Sequence, residues 1–107
     1  MKIQLHEEFK RNAKRLSKKY PSLAADLRVL QIELSENPTM GTLIAENRYK
    51  VQLKIASKKT GKSGGGRVIT YLKIQDDELW LLTLYDKSEI ENVNDGFLDD
   101  LVKKLEQ

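Results

Sequence analysis

KKTGKSGGGRVITYLKI, Lys58 to Ile74, decides the fold by where its glycines lead. Gly61-Lys62-Ser63 has the tail of a nucleotide-binding P-loop. That motif also needs a glycine separated from it by four residues, and a helix behind it whose N-terminus faces the phosphate. Ala56 stands at the glycine position. Behind the glycines, Val68, Thr70, Leu72 and Ile74 fall on one side and Ile69 and Tyr71 on the other, which is the period of a strand. The stretch therefore reads as a loop between two strands, and a triphosphate cradle is excluded. Gly61, Gly64, Gly65 and Gly66 permit positive φ and cost order, which predicts a mobile tip. Lys58, Lys59 and Lys62, closed by Arg67, make it a basic tip of the kind that grips a nucleic-acid backbone by displacing counterions.

The neighbours of the loop extend the same pattern. Residues 49–57, YKVQLKIAS, alternate Val51, Leu53 and Ile55 against Lys50, Gln52 and Lys54, a strand with one wet, basic face. ELWLLTLY, 78–85, is almost wholly apolar and reads as a central strand, and Gln75-Asp76-Asp77 turns into it, which suggests an antiparallel meander. Upstream, MKIQL alternates as a short strand. From about His6 to Tyr20, Phe9, Ala13, Leu16 and Tyr20 recur on one helical face until Pro21 ends it. Pro21 or Ser22 opens a second helix with Leu23, Leu27, Leu30 and Leu34 at the same steps, closed by Asn37-Pro38. From about Asn94, Phe97, Leu101, Val102 and Leu105 predict a short C-terminal helix, capped by Asn94 or Asp95. The expected fold is α+β, an N-terminal helical hairpin packed on a small antiparallel β-sheet with a short C-terminal helix, in one domain spanning 1–107.

Composition narrows the chemistry. The 107 residues suit a single core. With no cysteine and His6 the only histidine, a thiolate nucleophile, a two-histidine ribonuclease and a His-rich metal site all drop out, so neither metal nor cofactor is expected. No apolar run approaches the roughly 18 residues of a membrane span, and MKIQLHEEF lacks a signal-peptide core, so a cytoplasmic protein with no membrane partner is the expectation. The net charge of +3 hides a segregation: residues 47–75 hold eight Lys/Arg and no acid, while residues 76–107 hold ten acids against three lysines. An acid-free central third is the footprint of a surface that meets phosphates; a solvated face without a partner is the plainer alternative. After the central strand, LYDKSE places Tyr85 and Lys87 where they can converge with Arg67 and Lys54 from neighbouring strands. Trp80 and Tyr71 are core candidates first, and the acids of QDDE and NDGFLDD look like turn and cap chemistry.

The run YKVQLKI, GKSGGGRVITYL and ELWLLTLYDKSEIENV, preceded by a helical hairpin carrying KKYPS, resembles the RelE/ParE superfamily of type II toxin–antitoxin toxins, and within it the RelE-like HigB branch. The likeness runs through nearly the whole chain. It implies a RelE-like toxin domain and a metal-independent, ribosome-dependent mRNA endoribonuclease that blocks translation. It also implies a cognate antitoxin protein, mRNA in the ribosomal A site and the ribosome as partners, with operator DNA reached only through the antitoxin. Such chemistry sends a ribose 2′-OH against the adjacent phosphate and expels the 5′-oxygen, so cations must hold the phosphorane charge and a donor must protonate the leaving oxygen. By position, Arg67 matches the family's phosphate-stabilising arginine, Lys87 its basic residue after the last strand, and Lys50 a basic residue opening the preceding strand. The family's lysine two residues further on is Gln52 here, and its C-terminal tyrosine is missing from ENVND, which leaves Tyr85 as the substitute. The resemblance thus implies Arg67, Lys87 and Tyr85 as catalytic residues, with Lys50, Lys54, Lys58, Lys59 and Lys62 meeting RNA or ribosome. ParE-like members of the superfamily inhibit DNA gyrase instead, so a gyrase inhibitor is one rival reading, and a non-catalytic module that binds antitoxin or nucleic acid is another.

Overall fold

A computed structural model describes residues 1–106. In chain order its elements are β1 (Lys2–Leu5), α1 (Glu7–Ser17), α2 (Leu23–Glu36), β2 (Thr42–Ala45), β3 (Arg48–Leu53), β4 (Gly66–Lys73), β5 (Glu78–Asp86) and α3 (Asp95–Leu105), with short 3₁₀ turns at Ala56–Lys58 and Ile74–Asp76. The five strands lie in one sheet in the order β1-β5-β4-β3-β2. β2 to β5 form an antiparallel meander, but β1 runs parallel to β5, with Lys2 beside Glu78 and Leu5 beside Leu81. The sheet is therefore mixed, and the expectation of a purely antiparallel sheet is corrected. The reason lies in the path of the chain: the helical hairpin carries it from β1 at one edge to β2 at the other, and the antiparallel meander steps back to β5, which runs beside β1 in the same direction.

Each helix is begun and ended by identifiable chemistry. The His6 ring caps α1, its Nδ1 accepting from the Glu8 N–H at 3.1 Å, and Glu7 and Glu8 occupy the first turn, where the helix dipole favours acids. α1 stops at Ser17, three residues before the end that its apolar steps predict. Pro21 disfavours helical geometry at Tyr20, so Tyr20 lies in a turn yet stays packed on the same core. Ser22 precedes α2 without capping it; its hydroxyl donates to Asp26 Oδ2 and accepts from the Ser57 N–H. Asp26 Oδ2 also accepts from the Ala56 N–H, which ties the start of α2 to the turn after β3. For α3 the cap is Asn94, whose Oδ1 accepts from Gly96 and Phe97 N–H groups.

Both faces of the sheet are covered. The hairpin buries Phe9, Leu16 and the four α2 leucines against Val51, Val68, Leu81 and Leu84. At about 1.5–3 kcal/mol per fully buried side chain, this is the dominant favourable contribution. α3 buries Leu98, Leu101 and Val102 against Ile69, Leu82 and Tyr85 on the opposite face. Leu98 occupies the inward position expected for Phe97, which is half exposed. A bulge in β5, where Ile69 pairs with Thr83 and Thr70 with Leu81, makes room for Leu82 to face α3. Beyond β1 the β5 edge is finished by α1: Asn12 Oδ1 accepts from Thr83 Oγ1 at 2.8 Å and from the Leu84 N–H. β2 had no counterpart in the expected fold, and Ile74, expected on the inner face of β4, lies exposed in the turn beyond it. Among the described residues no helix is long and apolar enough to cross a membrane.

Candidate functional site

The loop from Lys58 to Gly65 leaves the sheet beside β3 and returns into β4. Two of its glycines are required for different reasons. Gly61 sits at φ +72 in open space. Gly65 has ordinary φ, but a Cβ there would lie 2.1 Å from the Leu53 carbonyl oxygen, so the glycine is needed for close approach of two backbones.

Arg67, the second residue of β4, is buried and turned back under this loop. Its Nη1 donates to the carbonyls of Gly66 at 2.9 Å and Lys62 at 3.3 Å, and its Nη2 to that of Ser63 at 3.0 Å. Tyr85 stands directly opposite on β5 and shares the face, as do Lys50 and Gln52 by the β3–β4 register. Burial pushes the Tyr85 hydroxyl pKa above its ordinary value, with the nearby Arg67 charge pulling the other way. The phenol therefore keeps its proton at neutral pH and can act as a donor. Lys87 is exposed just past β5, and its N–H donates to the Gly65 carbonyl, so the far end of β5 is tied to the same loop.

Lys50 Nζ donates to Asn92 Oδ1 at 3.0 Å across a cleft of about 430 Å³ between β3, β5 and the start of α3. Tyr85, Asn94 and Asp95 line the same cleft. The register and this cleft thus bring Lys50, Arg67 and Tyr85 onto one face, with Lys87 at its end. Lys54 and Lys62 meet elsewhere, in a groove between α2 and β3 lined also by Glu33 and Gln52. Lys59 is exposed at φ +59.

Lys58 is held on the other face. Its Nζ donates to Asp86 Oδ1 at 2.7 Å with the side chain only 10% exposed. Asp86 is fully buried and also accepts from the Tyr20 hydroxyl and from the Ser88 N–H and hydroxyl, with Lys19 Nζ at 3.7 Å. Burial opposes ionisation of Asp86, but hydrogen bonds from Lys58, Tyr20 and Ser88 outweigh it and hold the carboxyl well below the usual carboxylate range. This buried clip joins β5, the hairpin turn and the root of the glycine loop. Sequence reading missed it, together with Asn12 and Asn92. Each depends on a side-chain partner distant in sequence, and none carries a local signal.

The acidic last third of the chain folds over the basic middle. Asp99 pairs with Arg48 at 2.5 Å, and Lys73 donates to the Leu105 carbonyl at 2.8 Å. The solvated charge near β3 and β4 is smaller than the sequence tally suggests. No protein-family model matches the chain.

Proposed function

We propose that the chain is the toxin of a type II toxin–antitoxin system, a RelE-like, ribosome-dependent mRNA endonuclease. The observation that carries this is the register that sets Arg67 opposite Tyr85, on a face shared with Lys50 and ending at Lys87, with no acid anywhere on β3, the loop or β4. A helical hairpin on one side of the sheet is also what the resemblance implies. In the reaction the ribose 2′-OH gives its proton to solvent water as its oxygen bonds to phosphorus, and the bond to the 5′-oxygen breaks. Tyr85, protonated at neutral pH, donates to the departing 5′-oxygen. Arg67 exchanges a loop carbonyl for a non-bridging phosphate oxygen, and Lys50 and Lys87 add positive charge beside it. Because Lys58 is committed to Asp86, its part is to hold the loop, and Lys59 and Lys62 remain for the message or the ribosome. An antitoxin of acidic, amphipathic character suits this surface.

The test is a translating cell-free extract with primer extension on a defined message. The wild-type chain is expected to cut within the A-site codon. Arg67→Ala should lower the rate by about 10²–10³-fold, as lost oxyanion donors do. Tyr85→Phe should lower it by about 10²-fold or more. Full-length message in the presence of folded wild-type protein overturns the proposal, and gyrase-dependent DNA breaks in its place favour the ParE-like reading.

A further inference from the structure

A second cleft, of about 510 Å³, opens at the other end of β5 from Tyr85, between β1, the first turns of α1 and the C-terminal half of α3. None of its residues takes part in the cleavage chemistry. Leu5, Trp80, Leu101 and Leu105 line its apolar part. The His6 ring stands edge to face with the half-buried Trp80 indole, their centroids 6.4 Å apart and their planes at 73°.

Most polar groups around these walls already have partners. His6 accepts from the Glu8 N–H and donates to the Leu101 carbonyl, and the Trp80 Nε1–H donates to Glu78 Oε1 at 3.1 Å. Glu7 pairs with Lys10 at 3.5 Å and Glu8 with Arg11 at 2.7 Å. Two groups are left over. Lys104 is exposed on the rim and pairs with no acid among the described residues. Gln4 donates its amide to Glu78 at 3.4 Å, which leaves its side-chain carbonyl as an acceptor.

This remainder discriminates among ligands. A cation meets Lys104, on a rim where Lys10, Arg11 and Lys104 outnumber Glu7 and Glu8. A sugar or a base, recognised by many hydrogen bonds, finds the donors of His6 and Trp80 taken. A bare hydrocarbon leaves Lys104 and Gln4 unused. What fits is a flat apolar body with an anion at one end and a single donor. Its ring extends the His6–Trp80 pair, its anion meets the Lys104 ammonium and its donor meets the Gln4 carbonyl. The volume lies in the range of roughly 300–1,000 Å³ that small-molecule sites occupy. We infer, independently of the endonuclease reading, that this cleft binds a small aromatic carboxylate of the hydroxyphenyl or indolyl class.

Trp80 is the only tryptophan in the chain, so the ¹⁵N-labelled protein gives a single indole N–H resonance, and it comes from the cleft wall. Titration of the full chain with para-hydroxyphenylacetate should shift this resonance and the Leu101 and Lys104 amides, saturating with a Kd on the order of 1 mM or below, as suits so small a ligand. The para-hydroxyphenylacetamide analogue keeps the ring and loses the charge, and should bind about threefold or more weakly. Phenylacetate keeps the charge and loses the donor, and should also bind about threefold or more weakly. Tyramine, with an ammonium in place of the carboxylate, should leave the indole resonance where it is. Lys104→Met, at an exposed position, should leave the spectrum folded and bring acid and amide to equal affinity. Gln4→Met should instead bring the acids with and without the hydroxyl to equal affinity. No saturable shift of the Trp80 resonance with the acid overturns the proposal. So do equal shifts with acid, amide and amine, or a Lys104→Met protein that still prefers the acid. A peptide ending in a free C-terminal tyrosine that binds tighter than the free acid assigns the cleft to a protein partner and overturns the small-molecule assignment.

Discussion

Replacing Asp86 with asparagine keeps the shape of the side chain and removes its charge, and the structure sets the cost. The Lys58 ammonium, whose side chain is 10% exposed, loses its buried counter-charge. Removing one partner of such a pair costs about 3–5 kcal/mol. Turning the amide so that its N–H₂ faces Tyr20 keeps the hydrogen bonds, with the Tyr20 hydroxyl now accepting and Oδ1 still taking Lys58 and Ser88, but it does not restore the charge. Against the roughly 5–15 kcal/mol that holds a domain together, the loss is about a fifth or more. For a chain of this size each kcal/mol moves Tm by about 4–8 °C, so Asp86→Asn should melt about 12 °C or more below wild type. Thermal melts monitored by circular dichroism, with urea titrations alongside, measure it. Lys58→Met in the Asp86→Asn background removes the stranded ammonium. The double variant should therefore be more stable than the sum of the single losses by about 1–3 kcal/mol. A Tm within about 3 °C of wild type, or strictly additive losses, refutes the buried clip.

The same geometry sets the response to pH and to smaller substitutions. Because the folded Asp86 pKa lies below its ordinary value, its contribution is complete above about pH 4 and is lost as pH falls through the folded value. The stability gap between wild type and Asp86→Asn should therefore hold from pH 7 to about 5 and narrow in acid; a gap that widens below about pH 4 contradicts the sign. Gly65→Ala, with its Cβ 2.1 Å from the Leu53 oxygen, should cost about 2 kcal/mol or more in urea unfolding. Gly61→Ala, in open space at positive φ, should cost about 1–2 kcal/mol, and the reverse order would show that the loop does not press on β3 there. Asn12→Ala strips the Leu84 N–H and the Thr83 hydroxyl of their acceptor and should cost about 1–3 kcal/mol with faster amide exchange at Leu84. Asn12→Asp keeps the acceptor and should restore protection; equal loss in both variants sinks the edge-cap role.

The sequence was most informative where one face of a strand is wet and the other buried. Val68 and Leu72 against Ile69 and Tyr71 define β4, and the short turn at residues 74–77 fixes its register on β5, which is why Arg67 opposite Tyr85 is close to legible. β2 was not legible, because all four of its residues are exposed and only the ladder with β3 makes it a strand. MKIQL shows the alternation of a strand but says nothing about its neighbour, and the parallel pairing is a tertiary choice made when the meander returns β5 to the edge where β1 lies. The glycines misled in part: they predict a mobile tip, and Gly65 is there for contact. The polar devices around the site, Lys58 on Asp86 and Lys50 on Asn92, join residues 28 and 42 apart, beyond the reach of any periodicity.

The parallel strand also sets a timetable. Translation delivers the chain N-terminus first, at about 5–20 residues per second. β1 has no neighbour until Glu78 to Leu81 emerge, and the His6 Nε2–H, which donates to the Leu101 carbonyl at 3.2 Å, waits for a residue 95 positions later. At that pace the first strand stays unpaired for roughly 4–15 s, while α1 and α2 carry apolar stripes with no sheet beneath them. A nascent chain stopped before Glu78 holds the whole hairpin and nothing for β1 to pair with, so the first strand made is among the last to be placed.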